Sequence, residues 1–184
     1  MRIIITGTPG TGKTKIGKEL TMRTGWELVD LKEFVNKKKL FTRGTGTGKS
    51  KEKEVDIKKL ARALIPYLKQ FNNYIVESHL ACEIKIPADF VFVLRTNPSV
   101  LKKRMQKRKY RKQKIDENLE AEMLDYCVQR VEGVYRTAPL ELDTSKRSIK
   151  QCAFEIEKAI KQKKKKLDVV NYTQDLEKYL RLRK

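Results

Sequence analysis

The chain has 184 residues, with 43 Lys and Arg against 23 Asp and Glu, a formal net charge of +20 and 39% hydrophobic residues. That length suits one α/β-sized domain with its own core, and the charge favours a polyanionic partner such as nucleotide phosphates or RNA, since heat adaptation alone would raise both signs. Three widely spaced cysteines and a single histidine offer no zinc spacing and fit a reducing, cytoplasmic setting, and no apolar run approaches the roughly 18 residues of a membrane span, so neither signal peptide nor membrane partner is expected.

Residues 2–6, RIIIT, predict a short strand, followed by a glycine-rich turn and a helix through Ile16 and Leu20 that stops at Gly25. Residues 26–31 read as a second strand, and 32–41 as a helix fading into a Gly/Thr/Lys-rich segment over 42–53. Residues 55–71 carry Ile57, Leu60, Leu64 and Leu68 on one helical face, with Pro66 weakening the last turn. Residues 73–78 and 89–96 are continuous apolar runs, as in buried parallel strands. Asn97 and Pro98 open a further helix. Residues 116–138 read as one long helix, 140–145 as a last strand and 149–166 as a closing helix. In the tail, 167–184, Val169, Tyr172, Leu176, Tyr179 and Leu180 recur near helical spacing, leaving open whether it packs or projects. Strands alternating with helices, and no hairpin signal, describe an α/β domain with a parallel sheet.

Gly7 to Thr14, GTPGTGKT, matches G-x-x-x-x-G-K-[ST] in full, with a strand before it and a helix after it. Glycines let successive N–H groups turn inward around a phosphate at a helix N-terminus. Lys13 brings positive charge to the β- and γ-phosphates of a nucleoside triphosphate, and Thr14 a hydroxyl for Mg²⁺. The third strand ends IVESHL, placing Glu77 and His79 at the sheet edge where α/β proteins hold ligands. There Glu77 can hold an Mg²⁺-bound water, and His79 can orient a water or a phosphate oxygen; both could instead merely cap loops. Residues 102–114 have nine basic side chains in thirteen and no acid, a pattern read as a basic lid over the triphosphate. Arg104 and Arg108 are four apart, on one predicted helix face, and their planar forks suit phosphate oxygens. Asp143 and Thr144 end the last strand, where the following loop could stack on or read an adenine, though a helix N-cap is the plainer reading.

A second glycine run, RGTGTGKS at 43–50, ends like a phosphate loop but has Arg43 where the first glycine is required. It also lacks a preceding strand and a helix start, so it reads as a flexible basic loop, with Arg43 near a second nucleotide or an RNA phosphate.

The stretches RIIITGTPGTGKTKIGKEL, IVESHL, FVFVLRTNPSVLKKRMQKRKY and ENLEAEMLDY, in that order from about residue 2 to 160, resemble the nuclear-type adenylate kinases, the adenylate kinase isoenzyme 6-like family, in its archaeal form. The resemblance implies a P-loop NTPase of the nucleoside monophosphate (NMP) kinase kind with a five-stranded parallel sheet. Its body would span 1–165, with an NMP-binding segment at about 30–53 and a short lid at about 103–113, and a basic extension over 166–184. It implies transfer of the ATP γ-phosphate to AMP or related NMPs with Mg²⁺, alongside ATPase activity, in late maturation of the small ribosomal subunit. The implied partners are a small-subunit ribosomal protein of the uS11 type and pre-rRNA. By position, Gly10, Gly12, Lys13, Thr14 and Lys15 would bind ATP phosphates. Glu77 and His79 fall on the family's acid and histidine, Arg104 on the lid's first arginine, and Asp30 and Glu33 where the NMP-binding region begins. Two departures stand out: the lid tripeptide Arg-Gly-Tyr is here Arg108-Lys109-Tyr110, and an acidic stretch near 42–50 is here basic and glycine-rich. The competing readings are an ATP-gated assembly factor whose kinase activity is incidental, and a basic RNA-binding module with a vestigial loop.

Overall fold

The computed structural model describes residues 1–43 and 53–181, with 42, 43 and 53 given by backbone alone. Five strands form one parallel sheet in the order β2-β5-β1-β6-β7: β1 (Arg2–Thr6), β2 (Glu27–Asp30), β5 (Tyr74–Glu77), β6 (Phe90–Arg95) and β7 (Leu140–Asp143). The central strands are apolar throughout because both of their faces are covered. Ile4, Val76 and Val93 face one layer, made by α2 (Leu31–Lys37), α3 (Ile57–Leu68) and α6 (Tyr126–Tyr135). Ile3, Ile5, Ile75, Phe92 and Leu94 face the other, made by α1 (Lys13–Thr24) and α7 (Ile149–Lys161). The register Ile3↔Ile75 and Ile3↔Phe90 fixes this alternation, since a one-residue slip would exchange the two faces.

Helix starts carry their own signals. Asp30 caps α2 through the N–H groups of Lys32 (2.8 Å) and Glu33 (3.2 Å), and Asp56 caps α3 through Lys59 (3.0 Å). Asn97, with Pro98 at the first helical position, opens α4 (Pro98–Lys107). Pro66 lies in the last turn of α3, which ends two residues later.

Three expectations change, and one question left open by the sequence is answered. Residues 116–138 do not form one helix: α5 (Lys112–Met123) ends and α6 begins after Asp125, whose φ of 55° is left-handed. The break turns the Asp125 carboxylate onto Arg95, a tertiary contact that overrides a locally helical sequence. The segment near 42–53 contributes an antiparallel pair, β3 (Phe41–Arg43) with β4 (Lys53–Val55), although no hairpin signal marks it; the Gly/Thr loop over 44–50 lies outside the described residues. The cap of α7 is Ser148, in a reciprocal capping box with Gln151, rather than Asp143 or Thr144; Asp143 instead accepts from the Ser145 N–H (2.9 Å). Finally, the tail packs: Tyr172 is buried with Leu101, Met105, Ile115, Leu119 and Met123, and α8 (Thr173–Arg181) lies on α5. Among the described residues no helix is long and apolar enough to cross a membrane.

Leu64, fully buried between α3 and the sheet, is expected to cost about 2–5 kcal/mol when replaced by Ala, read as a lower midpoint in denaturant unfolding; no change would mean that α3 does not cover this face.

Candidate functional site

The carboxyl ends of β1, β2 and β5 border a cleft of about 720 Å³. Its floor is the loop between β1 and α1. Gly7 has φ +135°, and a Cβ there would lie 2.4 Å from the Leu94 carbonyl oxygen of β6. Gly10 has φ +99°, and its Cβ would meet Leu101 of α4 at 2.8 Å. Only glycine allows the loop to lie this close to both elements.

Lys13 is 8% exposed, and its Nζ donates to the loop's own carbonyls, Gly7 O (2.8 Å) and Thr8 O (3.1 Å). Burial holds its ammonium below the usual lysine range. At the next residue, Thr14 Oγ1 donates to Glu77 Oε1 (2.8 Å). Glu77 and Asp30 end neighbouring strands in register. Burial first, and then the Asp30 carboxylate, push the Glu77 carboxyl up to about 7 against the opposing pull of Thr14 and Lys13. His79 opens onto the cleft at the head of a 3₁₀ turn (His79–Glu83). Its imidazole is pushed down to about 4 by desolvation and by the cations Lys13, Lys114 and Lys32, and so is neutral at pH 7.

Gly10, Gly12, Lys13, Thr14, Lys15, Asp30, Glu77, His79 and Arg108 all line this one cleft. Glu33 does not: it is exposed on α2, and its N–H donates to the Asp30 cap. Arg43 is placed by backbone alone in β3, and its side chain lies outside the described residues. Arg104 and Arg108 do not share a helix face, because α4 ends at Lys107 and Arg108 is its cap. Arg104 turns to the ends of β6 and β7, donating to Thr96 Oγ1 (3.2 Å), Thr144 Oγ1 (3.0 Å) and Thr144 O (2.6 Å). Arg108 turns to the cleft. Between them and α5, Lys109 takes a φ of 57°, a left-handed turn position that suits glycine.

Sequence reasoning missed several participants. Lys32, Lys114 and Tyr126 line the cleft, giving it five cations (Lys13, Lys15, Lys32, Arg108, Lys114) around one carboxylate pair. A buried ion cluster lies behind the loop. Arg95, 1% exposed, donates from Nε to Glu122 Oε1 (3.1 Å), from Nη2 to Glu122 O (3.0 Å), and to Asp125 and Glu141. The second Glu122 oxygen accepts the Thr8 hydroxyl, and Oε1 also accepts the Thr96 N–H (2.9 Å). A charged residue closing the apolar run FVFVLR was the available signal for Arg95; nothing local marks Glu122.

The AAA domain family profile matches residues 3–125. A "Putative adenylate kinase" of Methanocaldococcus jannaschii is 37% identical over 99% of this chain and 98% of its own length. One from Thermococcus onnurineus is 35% identical over 97% of this chain and 94% of its own. Among solved structures, the shikimate kinase from Acinetobacter baumannii in complex with shikimate has a TM-score of 0.63 at 17% identity, covering 89% of this chain and 95% of that one. The deoxyadenosine kinase from M. mycoides with bound dATP has 0.58 at 17%, covering 88% and 100%. At that identity the likeness is one of fold.

Glu77 and His79 make stability depend on pH with opposite signs. Glu77 has a folded pKa raised from 4.5 to about 7, so its stabilising contribution is complete below pH 4.5 and lost as pH rises to 7. His79 runs the other way: its folded pKa is depressed, so its contribution is present above pH 6.5 and lost as pH falls towards 4. In urea unfolding, Glu77→Gln is therefore expected to gain on the unchanged protein as pH rises from 4.5 to 7. A constant gap between the two would overturn this assignment.

Proposed function

The chain belongs to the AAA domain family and to the family of these archaeal putative adenylate kinases, and we propose that it is a phosphotransferase, an adenylate or broader NMP kinase that moves the ATP γ-phosphate to AMP or a related monophosphate. The observation that carries this reading is the convergence of the loop lysine, the Thr14–Glu77–Asp30 group and cleft-facing cations in one space of about 720 Å³.

In this reading the α1 N-terminus and loop N–H groups hold the ATP phosphates. Lys13 leaves the carbonyls of Gly7 and Thr8, 2.8 and 3.1 Å away, for a phosphate oxygen at little cost, since one acceptor replaces another. Arg108, Lys32 and Lys114 oppose the charge spread over the transferred group. Neutral His79 orients an acceptor or water oxygen by a hydrogen bond rather than as a cation. Asp30 stands at the acceptor side, next to Glu77.

The Thr14 hydroxyl, the Glu77 carboxyl 2.8 Å from it and the neighbouring Asp30 are a hard, all-oxygen donor set, which fits Mg²⁺. Among the described residues no three His, Cys, Asp or Glu side chains gather to hold a metal unaided, consistent with an ion that keeps waters and phosphate oxygens as ligands. Bound there, Mg²⁺ supplies neutralisation of phosphate charge and a fixed orientation of the triphosphate.

A role beside RNA, in maturation of the small ribosomal subunit near a ribosomal protein and pre-rRNA, is supported by the net charge of +20 and by the exposed lysines and arginines at 102–103, 107–109 and 111–112. Three free, buried cysteines suit the cytoplasm. When no monophosphate is bound, water takes its place as acceptor and ATP is hydrolysed to ADP and phosphate.

Two measurements test these readings. ADP formation from ATP is expected to accelerate on adding AMP and to fall about a hundredfold or more in Lys13→Met; indifference to AMP would remove the kinase in favour of an ATP-gated assembly factor. Binding of a small-subunit rRNA fragment is expected to weaken steeply with salt and to respond to ATP. Salt-dependent binding that ignores both ATP and Lys13→Ala would leave only a basic RNA-binding module.

A further inference from the structure

The tail is fastened across the sheet edge before it reaches the helices. The Asp168 N–H donates to Glu141 O (3.1 Å), and its carboxylate accepts from the Asp143 N–H (2.8 Å) and from Arg147 Nη2 (3.0 Å). Four residues on, Tyr172 is 6% exposed between α4 and α5, and its carbonyl accepts the Leu176 N–H (2.9 Å), starting α8. The Tyr172 ring lies against the guanidinium of Arg95, with Cζ 5.2 Å from the ring centroid. From Arg95 the contacts run to Glu122 (3.1 Å), from Glu122 to the Thr8 hydroxyl, and from Thr8 O to Lys13 Nζ (3.1 Å). The far end of the chain is thus joined to the phosphate loop through buried side chains in direct contact.

We infer that the C-terminal segment is a working part of the nucleotide site, with Tyr172 a positioning residue that acts through Arg95 and Glu122 on Thr8. Arg95 faces three carboxylates, Glu122, Asp125 and Glu141, and a rigid fork can serve them all only in one plane. The ring face of Tyr172 selects that plane, because a cation is held over a π-face by the ring quadrupole. In that plane Nε meets Glu122 Oε1 together with the Thr96 N–H, leaving the other oxygen for Thr8. With Glu122 only 2% exposed, no water substitutes for a lost partner. The inference rests on the proposed function only for the identity of the ligand that enters the loop.

If Tyr172 merely filled the apolar cluster, Leu would differ from Phe only by the cavity it leaves, and its effects would follow the thermal midpoint. The test therefore uses the full chain with Tyr172→Leu, which stays apolar without a π-face, beside Tyr172→Phe, which keeps the ring. Three quantities are read: the thermal midpoint, the ATP dissociation constant by calorimetry, and amide hydrogen exchange of residues 7–12 in nucleotide-free protein. Tyr172→Leu is expected to weaken ATP binding about fivefold and to speed loop exchange by a similar factor, with Tyr172→Phe recovering both. Equal behaviour of the two variants, or changes that only follow the midpoint, would overturn the inference. Should Tyr172→Leu not fold, Tyr172→Met makes the same comparison. A protein that binds no ATP at all would sink the kinase reading, and loop exchange would still decide the coupling.

Discussion

At the carboxyl end of β6, Arg95, a charged residue only 1% exposed, ties the sheet to the α5–α6 break and to the tail. Burial by itself disfavours the charge of Arg95, and the nearby Glu122 and Asp125 more than reverse that, so its pKa is raised. A buried charge left without partners would destabilise the fold far more than any single apolar contact could offset. Its partners therefore dictate geometry around it. Asp125 adopts a left-handed conformation that a helix would not offer, and α5 and α6 separate there. Glu141 gives β7 a polar contact within an otherwise apolar neighbourhood, and Tyr172 fixes the tail. The phosphate loop is attached to this cluster through Thr8, so its shape depends on charges that never touch the cleft.

The parallel sheet was legible because its three central strands are apolar or β-branched runs bounded by turn residues, a pattern that survives without knowledge of neighbours. The phosphate loop was legible for a related reason: its function lies in backbone geometry, which glycines at fixed spacing encode locally. What stayed hidden depends on distant partners. The sequence around Asp125 is as helical as its surroundings, and only Arg95, thirty residues away, breaks it. Glu122 looks like any surface acid on an amphipathic helix, yet it is 2% exposed. The spacing of Arg104 and Arg108 suggested a shared face, and the helix end at Lys107 sends them to different places. The β3–β4 pairing spans a segment whose composition carries no strand signal.

The cleft has an uneven field. Five cations surround it, while Glu77 and Asp30 sit together at the strand ends beneath them. Such an arrangement draws a polyanion in and leaves one spot where positive charge is missing. Lys13 meanwhile rests on two carbonyls rather than in solvent, so the loop is already folded around a cation before any phosphate arrives. Little reorganisation then remains for the bound state, the condition under which fixed charges act most strongly.

The Glu77 carboxyl, pushed up to about 7, gives this spot a further property. Near neutral pH it carries a proton roughly half the time, and a divalent cation, were one to seat on its oxygen, would have to expel that proton. Loading the site in that way would exchange one ion for another, with a proton released to solvent. Its apparent cation affinity would then fall by about tenfold for each unit of pH below 7, tying occupancy of the cleft to the acidity of its surroundings.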